Sequence, residues 1–473
     1  MTRPLPRPPP VPRLTARART DPALTLAKLP DVFSPHCGIV TGIERFDVRE
    51  RAMRGVAGYA TTLEAATPMG YARFRELRGT RTEIFRTGAD GRGGSRVAFD
   101  PMRAFVRAVG EALERYACCT YDPGALVTAA WRDVREHALD PRACQQPSAE
   151  EYARLSALTP FREDAPMRWQ WAWRLGDGAP RLVPAQMCYV MYNLLPGEPR
   201  MAGPTSTGWA IHHTREEAVH SALREIVERD SFMLTWLHRL RVPTLDLDSV
   251  DMPDVRRYLA SLREGGGKVR VLVTTTDLGI PSFALAAHDP RPGRPAFLLT
   301  LAAHPDPRRG LRQAVEEAAM MRLDLTARLR AGLDDPPARM EEVEEMADHA
   351  EYYLDPAHLA PVRWLLDETD PVRLDALDDL GSPDVWVETQ RMVARIAQAG
   401  METLYVDTTP PDLREAGGWH AAKVIVPGSV RHEYGHLVRY LDCPRILDAP
   451  LRMGLRSRRA TPDELNSDVH PYS

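Results

Sequence analysis

The sequence predicts a mixed α/β protein, because short strand-like runs and longer amphipathic helical runs alternate along most of its length. Residues 268–275 (KVRVLVTT) and 295–302 (PAFLLTLA) are typical of strands, and a helix is predicted after them over residues 308–330. The composition agrees with this class. With 44% hydrophobic and 27% charged residues, the 473-residue chain lies near the average for soluble globular proteins.

Two segments are predicted along the chain. Residues 1–30 are rich in Pro, Arg and Thr without apolar periodicity, which predicts a disordered or loosely docked tail. Residues 31–473 contain no comparable low-complexity linker, and we therefore expect them to form one domain.

The best-marked helix is expected to begin after the polar loop that precedes Thr214. This threonine is a favourable N-cap, Glu217 follows it by three residues, and the helical pattern continues to Trp236. The cap therefore predicts where this helix begins, and the helical pattern predicts how far it extends.

The C-terminal third continues the alternation of helix and strand. A helix is predicted at residues 387–400, and strands are predicted at 402–407 and 423–426. The acidic, amphipathic stretch at 341–353 (EEVEEMADHAEYY) is expected to be a helix with a solvent-facing side.

Net charge, apolar runs and cysteine spacing exclude several classes of function. A net charge of -4 provides no general field for a polyanion, so nucleic acid is not an expected partner. No window approaches eighteen apolar residues, which excludes a predicted membrane span. The six cysteines lack C-x-x-C spacing, which favours a reduced, cytoplasmic protein without a structural zinc site.

Three helical segments, distant in sequence, share a pattern that suggests internal duplication. They are AFVRAVGEALERY from Ala104, EAVHSALREIVERD from Glu217 and RGLRQAVEEAAMMR from Arg309. The first two contain E-x-x-E-R, so each helix places two carboxylates on one face. The pairs are Glu111 with Glu114, and Glu225 with Glu228.

Like charges on one helix face repel, which indicates a compensating partner. Mg²⁺ binds hard oxygen ligands and is commonly held by a few carboxylates together with substrate phosphates. The adjoining Arg115 and Arg229 suit phosphate oxygens. The alternative is that both motifs lie on solvated helix surfaces. The common phosphate-binding loop is absent, so a carboxylate-based nucleotide site needs support from other observations.

At these residues the sequence resembles the YcaO family, particularly the branch that forms the cyclodehydratases of azole-modified peptide pathways. The matching text is LVPAQMCYVMY, STGWAIHHTREEAVHSALREIVERDSFMLTW, LAAHPDPRRGLRQAVEEAAMMR and AKVIVPGS. The resemblance runs over most of residues 31–473. It implies a YcaO fold with internally repeated helix–sheet units around a site for ATP and Mg²⁺.

The resemblance also implies roles for individual residues. The magnesium ligands would be Glu111, Glu114, Glu225 and Glu228. The nucleotide-binding set would be Arg92, Arg115, His213, Glu217, Arg229 and Glu317. Within this set, Arg92 stands where the family usually has lysine, and His213 where asparagine is usual. No catalytic side chain is implied.

The implied activity is ATP-dependent activation of a peptide backbone amide. In the family, a nucleophile adds to the amide carbon and the resulting oxyanion attacks the γ-phosphate of ATP, so that phosphate leaves with the former amide oxygen. Cyclodehydration of Cys, Ser or Thr to thiazoline or oxazoline is the expected outcome. Macroamidine formation, thioamide formation and a catalytically silent subunit of a modification complex are the alternatives.

The expected partner is a precursor peptide. Only the tail and a short region precede the first glutamate motif, so we expect a separate protein to bind the leader of this peptide. A homo-oligomer is compatible with the sequence.

A competing motif lies at residues 432–436 (HEYGH), which match the H-E-x-x-H pattern of zinc peptidases. Pro427 and Gly428 lie just upstream, and Gly435 disfavours the helix that this pattern needs. We therefore do not expect zinc at these residues.

Overall fold

A computed structural model describes residues 6–36, 38–47, 57–63, 92–155, 157–332, 336–432, 434–436 and 439–472 of the chain. The structure is a mixed α/β arrangement, as predicted. Its strands are β1 (Val40–Asp47), β2 (Ala57–Leu63), β3 (Arg92–Ala98), β4 (Val127–Ala130), β5 (Pro166–Arg174), β6 (Pro180–Pro184), β7 (Trp209–His212), β8 (Thr244–Leu245), β9 (Lys268–Val273), β10 (Ser282–His288), β11 (Phe297–Ala303), β12 (Pro371–Val372), β13 (Leu404–Asp407) and β14 (His420–Ile425).

The helices vary from single turns to more than twenty residues. They are α1 (Ala23–Lys28), α2 (Pro101–Ala117), α3 (Trp131–Val134), α4 (Ala149–Arg154), α5 (Ala185–Cys188), α6 (Arg215–His238), α7 (Pro253–Arg263), α8 (Pro307–Ala331), α9 (Met346–Tyr352), α10 (Val385–Gln398), α11 (Pro411–Ala416) and α12 (Pro444–Arg452). Among the described residues, no helix is both long and apolar enough to cross a membrane.

The described strands form three sheets. The first has the order β1-β2-β3, and the second has the order β11-β10-β9-β8-β12. The third has the order β4-β5-β13-β14-β7, with β6 paired to β5. Only the short β8–β12 pair is parallel, and the other described pairs are antiparallel.

Helix α6 is the central element of the molecule. It packs against β7 and β14 of the third sheet and against β10 and β11 of the second. Most of its side chains are buried, as expected for a helix enclosed by two layers. Helix α2 packs on β2, β3 and β7, whereas α8 packs on β3, β10 and β11. These contacts place α2 and α8 on β3 of the first sheet, while α6 shares β7 with α2 and shares β10 and β11 with α8.

The three long helices begin where their sequences provide caps. Thr214 accepts a hydrogen bond from the backbone of Glu217 at the start of α6. Asp100 and Asp306 cap α2 and α8 in the same manner, and each is followed by proline at the first helical position. The predicted start of α6 is thus confirmed.

Sequence patterns missed several core strands, among them β5, β7 and β10, and misassigned one helix. Strand β10 is buried on both faces between β9 and β11, so its sequence lacks the alternation that marks a strand with one solvated face. The acidic segment from residue 341 contains only the short α9, whose residues 349–352 are buried. The prediction of a longer, solvent-facing helix was therefore wrong there.

Part of the N-terminal segment, for which a disordered or loosely docked tail was predicted, makes specific contacts. Residues 15–25 pack against the rest of the chain, and we call them the N-terminal strap. The strap ends in α1 and forms a β-bridge from Ala18 to Asp384 at the start of α10. Composition alone suggested disorder because the strap is held by polar contacts with distant residues, which leave no apolar periodicity.

Candidate functional site

The carboxylates of three helices meet at one place in the fold. Glu111 and Glu114 lie on α2, Glu225 and Glu228 lie on α6, and Glu317 lies on α8. Burial raises the pKa of Glu114 well above its ordinary value, and the nearby Glu225 and Glu111 raise it further. Burial also raises the pKa of Glu228 to about 7, with contributions from Glu225 and Glu317. The two predicted carboxylate pairs are therefore electrostatic neighbours.

Arginines from α2 and β3 border these carboxylates. Arg115 donates to Glu111 Oε1 at 2.7 Å, and Arg96 lies 3.2 Å from the same oxygen. Arg107 pairs with Glu317. Burial acts to raise the pKa of Glu317, but the guanidinium groups of Arg96, Arg107 and Arg229 hold it below its ordinary value. The site therefore contains both carboxylates and guanidinium groups, which pair with one another.

Helix α6 supplies the second arginine of the repeated motif. Arg229 lies 3.2 Å from Glu225 and 3.8 Å from Glu228, and its guanidinium lies 4.2 Å from the ring centre of Tyr472. The other oxygen of Glu225 accepts a hydrogen bond of 2.9 Å from the backbone N–H of Gly208. Arg229 and the Gly208 peptide therefore fix the two oxygens of Glu225.

Some carboxylate oxygens of the site have no partner among the described residues. Within the described residues, the Glu114 carboxylate has no hydrogen bond or ion pair, and Glu111 Oε2 is buried without a partner. Such oxygens are costly to bury unless a cation or a proton satisfies them. Mg²⁺ prefers this kind of ligand, so the residues present fit the ion that the sequence predicted.

Two further predicted nucleotide contacts lie at the N-terminal end of α6, Glu217 in its first turn and His213 just before its N-cap. Glu217 precedes Glu225 by two helical turns, and both its oxygens accept hydrogen bonds from Thr20 of the N-terminal strap. The His213 ring bonds to Thr25 at 2.8 Å and to the carbonyl oxygen of Gly418 at 2.6 Å. The structure therefore separates these two residues from the carboxylate cluster and engages them with the protein itself.

Arg92 belongs to the nucleotide-binding set that the family resemblance implies. The structure places it as the first residue of β3, where its backbone pairs with Thr62. Its side chain lies outside what the structure describes, and its part in nucleotide binding stays a prediction.

The described residues of the H-E-x-x-H segment are not helical. Glu433 lies outside the described residues, and residues 434–436 form a bend and a turn in which Gly435 has φ +90°. His432 is fully buried near the rings of His470 and Tyr472. The described residues therefore lack the helical i, i+4 geometry on which the zinc prediction depends.

A second group of metal-ligand types lies between α6, α8 and α10. Candidate ligand atoms of His220, His304 and Glu388 lie within 4.8 Å of one another. However, Glu388 pairs with Arg19 and lies 2.9 Å from His220, while His304 Nδ1 accepts a hydrogen bond from the backbone of Asp306. The neutral His304 ring then carries its proton on Nε2, which opposes metal binding through that atom. We assign no metal to this group.

Sequence reasoning missed Arg96, Arg107 and Lys423. Arg107 precedes Glu111 by one helical turn, so helical spacing provided a signal for it. Arg96 and Lys423 come from strands whose partners are distant in sequence, and no local spacing marks them. Lys423 is buried, and its Nζ donates to the carbonyl oxygen of Thr207 at 2.6 Å.

Comparison with known families identifies the fold and its cofactors. Residues 98–430 match the model of the YcaO family, described as the ATP- and Mg²⁺-binding YcaO cyclodehydratases. The match covers more than half of the chain, and the predicted cofactors, ATP and Mg²⁺, are confirmed.

Solved structures resemble the chain over most of its length. A heterocyclase in complex with substrate and cofactor is 26% identical with a TM-score of 0.80, and the alignment covers 98% of this chain and 59% of the heterocyclase. YcaO from Methanopyrus kandleri, bound with AMPPCP and Mg²⁺, is 18% identical with a TM-score of 0.58, covering 87% and 91%. The E. coli microcin synthetase McbBCD complex is 14% identical with a TM-score of 0.54, covering 82% and 87%. The last two show the fold alone, and this chain spans about three fifths of the heterocyclase.

Proposed function

Because the chain belongs to the YcaO family, we propose that it uses Mg-ATP to activate the backbone amide of a peptide. The product we propose is a thiazoline or an oxazoline, formed by cyclodehydration of Cys, Ser or Thr in a ribosomally made precursor. The observation that carries this proposal is the convergence of both E-x-x-E-R helices with Glu317 in one buried, charged site.

The roles of the chain's own residues follow from their charges. Glu111, Glu114, Glu225 and Glu228 hold Mg²⁺ directly or through water, since their oxygens include those with the fewest protein partners. Arg115 and Arg229 each bond to a carboxylate that borders the metal site, and their guanidinium groups would contact phosphate oxygens of the bound nucleotide.

Two further arginines extend the basic side of the site. Arg96 and Arg107 reach it from β3 and α2 and pair with Glu317. The orientation of a guanidinium held in this manner is fixed before the reaction. It can therefore stabilise negative charge that develops on phosphate without first having to reorient. These residues therefore position and neutralise phosphate oxygens, and Glu317 keeps them in place.

When bound, Mg-ATP supplies the phosphoryl group that converts the amide oxygen into a leaving group. The chain's part is to hold the phosphates in line with the amide and to exclude water from buried carboxylates. The thiol or hydroxyl nucleophile belongs to the substrate, so no catalytic nucleophile is assigned to this chain.

We propose a precursor peptide as substrate and a separate protein as the binder of its leader. Two structural relatives support this assignment: one is a heterocyclase in complex with substrate and cofactor, and the other is the E. coli microcin synthetase McbBCD complex. Submicromolar binding of the leader by this chain alone would contradict the need for a separate binder.

The decisive experiment measures release of ADP and phosphate that depends on the peptide. Glu225→Gln and Glu228→Gln should each abolish it, whereas Glu150→Gln removes a carboxylate on an exposed surface and should leave the rate unchanged. A catalytically silent subunit would instead show no ATP binding by the chain alone, and activity would appear only with a partner that carries its own intact site.

Mass spectrometry of the reacted peptide identifies the chemistry. Loss of one water per modified residue is expected for cyclodehydration. Exchange of oxygen for sulfur would replace this assignment by thioamide formation, and water loss that joins an amine to a backbone amide would replace it by macroamidine formation.

A further inference from the structure

Lys423 is a buried cation next to the carboxylate site. It lies on β14, it is 3% exposed, and its Nζ donates to the carbonyl oxygen of Thr207 at 2.6 Å. In the part of the chain that the structure describes, no carboxylate lies within ion-pair distance of this ammonium. Burial lowers the pKa of Lys423 to about 8. Burying a charge without an opposite charge in contact costs stability. A lysine at this position therefore suggests a functional role that offsets this cost.

The Thr207 carbonyl belongs to the same peptide group as the Gly208 N–H. That N–H donates to Glu225 Oε2 at 2.9 Å. One peptide group therefore joins the ammonium of Lys423 to the carboxylate of Glu225. A cation on the peptide oxygen and an anion on its N–H polarise the group in the same direction, which strengthens both hydrogen bonds.

Gly208 fixes the orientation of this peptide. Its φ is +79°, a conformation that favours glycine, and a Cβ added there would lie 2.6 Å from the carbonyl oxygen of Val424. The carbonyl oxygen of Gly208 accepts from the backbone of Val424 at 2.8 Å, next to Lys423 on β14. The peptide is consequently clamped by the strand that carries the lysine.

We propose that Lys423 is a positioning residue for the Mg-ATP site, acting through the Thr207–Gly208 peptide on Glu225. It holds one oxygen of Glu225 in place, so that the carboxylate presents a fixed geometry to the metal. Groups that orient a metal ligand commonly change metal affinity by about 10–100-fold when removed. This inference rests on the proposed function, because it takes Glu225 as a magnesium ligand.

The test is the Mg²⁺ dependence of nucleotide binding, measured by calorimetry with AMPPCP and therefore without turnover. Lys423→Met should raise the half-saturating Mg²⁺ concentration by about tenfold or more. Lys423→Arg, which keeps a cationic donor, should restore most of the affinity. In a Glu225→Gln background, Lys423→Met should add no further change, because the group through which it acts is already altered.

Leu262→Ala is the control for a purely structural effect. Leu262 is a buried residue of α7 in the core beside the second sheet, and its truncation should lower the melting temperature without changing the Mg²⁺ dependence. An equal shift of the Mg²⁺ dependence in Leu262→Ala would overturn the positioning role. Where Lys423→Met does not fold, Lys423→Gln, which retains a neutral N–H donor, provides the same measurement.

The possible outcomes separate this inference from the proposed function. Mg²⁺-dependent binding by the native chain, with an unchanged half-saturating concentration in Lys423→Met, would overturn the positioning role alone. A native chain that binds AMPPCP with no dependence on Mg²⁺ would overturn both.

Discussion

Thr20 donates two hydrogen bonds to Glu217, from its backbone N–H at 2.8 Å and from its hydroxyl at 2.5 Å. Thr214 donates a third to the same carboxylate at 2.9 Å. The residue expected to contact nucleotide is therefore also the anchor that ties the N-terminal strap to the start of α6.

Removal of the Thr20 hydroxyl should loosen this anchor. We expect Thr20→Val to lower the free energy of unfolding by about 1 kcal/mol, since a hydrogen bond to a carboxylate is lost while the Thr214 hydroxyl remains. Urea denaturation measures the change. Thr20→Ser is the matched control, because it keeps the hydroxyl, and a loss of equal size in Thr20→Ser would contradict the explanation.

Arg445 and Asp230 form a buried ion pair that joins α12 to α6. Two N–H···O hydrogen bonds of 2.7 Å connect them, and Arg445 also bonds to Asp277. Arg445→Met should lower the free energy of unfolding by about 3–5 kcal/mol, because it leaves the Asp230 charge buried without its partner. The change is measured by denaturant unfolding.

Arg452 provides the control for that measurement. It lies 3.1 Å from Asp277, but its side chain is 44% exposed. Arg452→Met should therefore change the free energy of unfolding by no more than about 1 kcal/mol. Similar losses in the two variants would show that burial does not determine the cost.

The buried His220 should contribute to destabilisation by acid. Burial lowers its pKa to about 3, so it stays neutral in the folded protein at pH values where an unfolded histidine is protonated. The unfolded state then binds more protons, and stability falls as the pH falls from about 6.5 towards 3. The stability that the neutral His220 ring contributes is fully present above pH about 6.5 and is lost as the pH falls from there towards 3.

His220→Gln should remove this contribution. Between pH 6.5 and 5, the variant should lose about 2 kcal/mol less stability than the native chain. Urea unfolding at both pH values provides the comparison, and His36→Gln, which alters an exposed ring, should retain the native pH dependence. Equal pH dependence in His220→Gln and the native chain would rule out this linkage.

Substitution of Gly208 should affect both folding and the site. Gly208→Ala places a Cβ against the Val424 carbonyl and requires a left-handed backbone, so it should cost more than about 1 kcal/mol of stability. It should also raise the Mg²⁺ requirement for AMPPCP binding. Gly176→Ala is the control, because nothing lies within 4 Å of its added Cβ. Native Mg²⁺ dependence in a folded Gly208→Ala would count against the peptide connection to Glu225.

The sequence by itself determined the fold class, the long helices and the carboxylate pairs. Caps and helical periodicity are local, so Thr214 marked the start of α6, and the three-residue spacing placed Glu225 and Glu228 on one face. The resemblance to the YcaO family rested on the same residues and is confirmed by the match over residues 98–430. The individual roles of the glutamates and arginines stay predictions.

Only the tertiary structure decided which of these residues meet. It brought Arg96 to Glu111 and Thr20 to Glu217, and it joined Lys423 to Glu225 through a single peptide. Each contact links segments that are distant in sequence and depends on how sheets and helices pack. Local periodicity carries no information about such packing, because it reports only which face of an element is apolar.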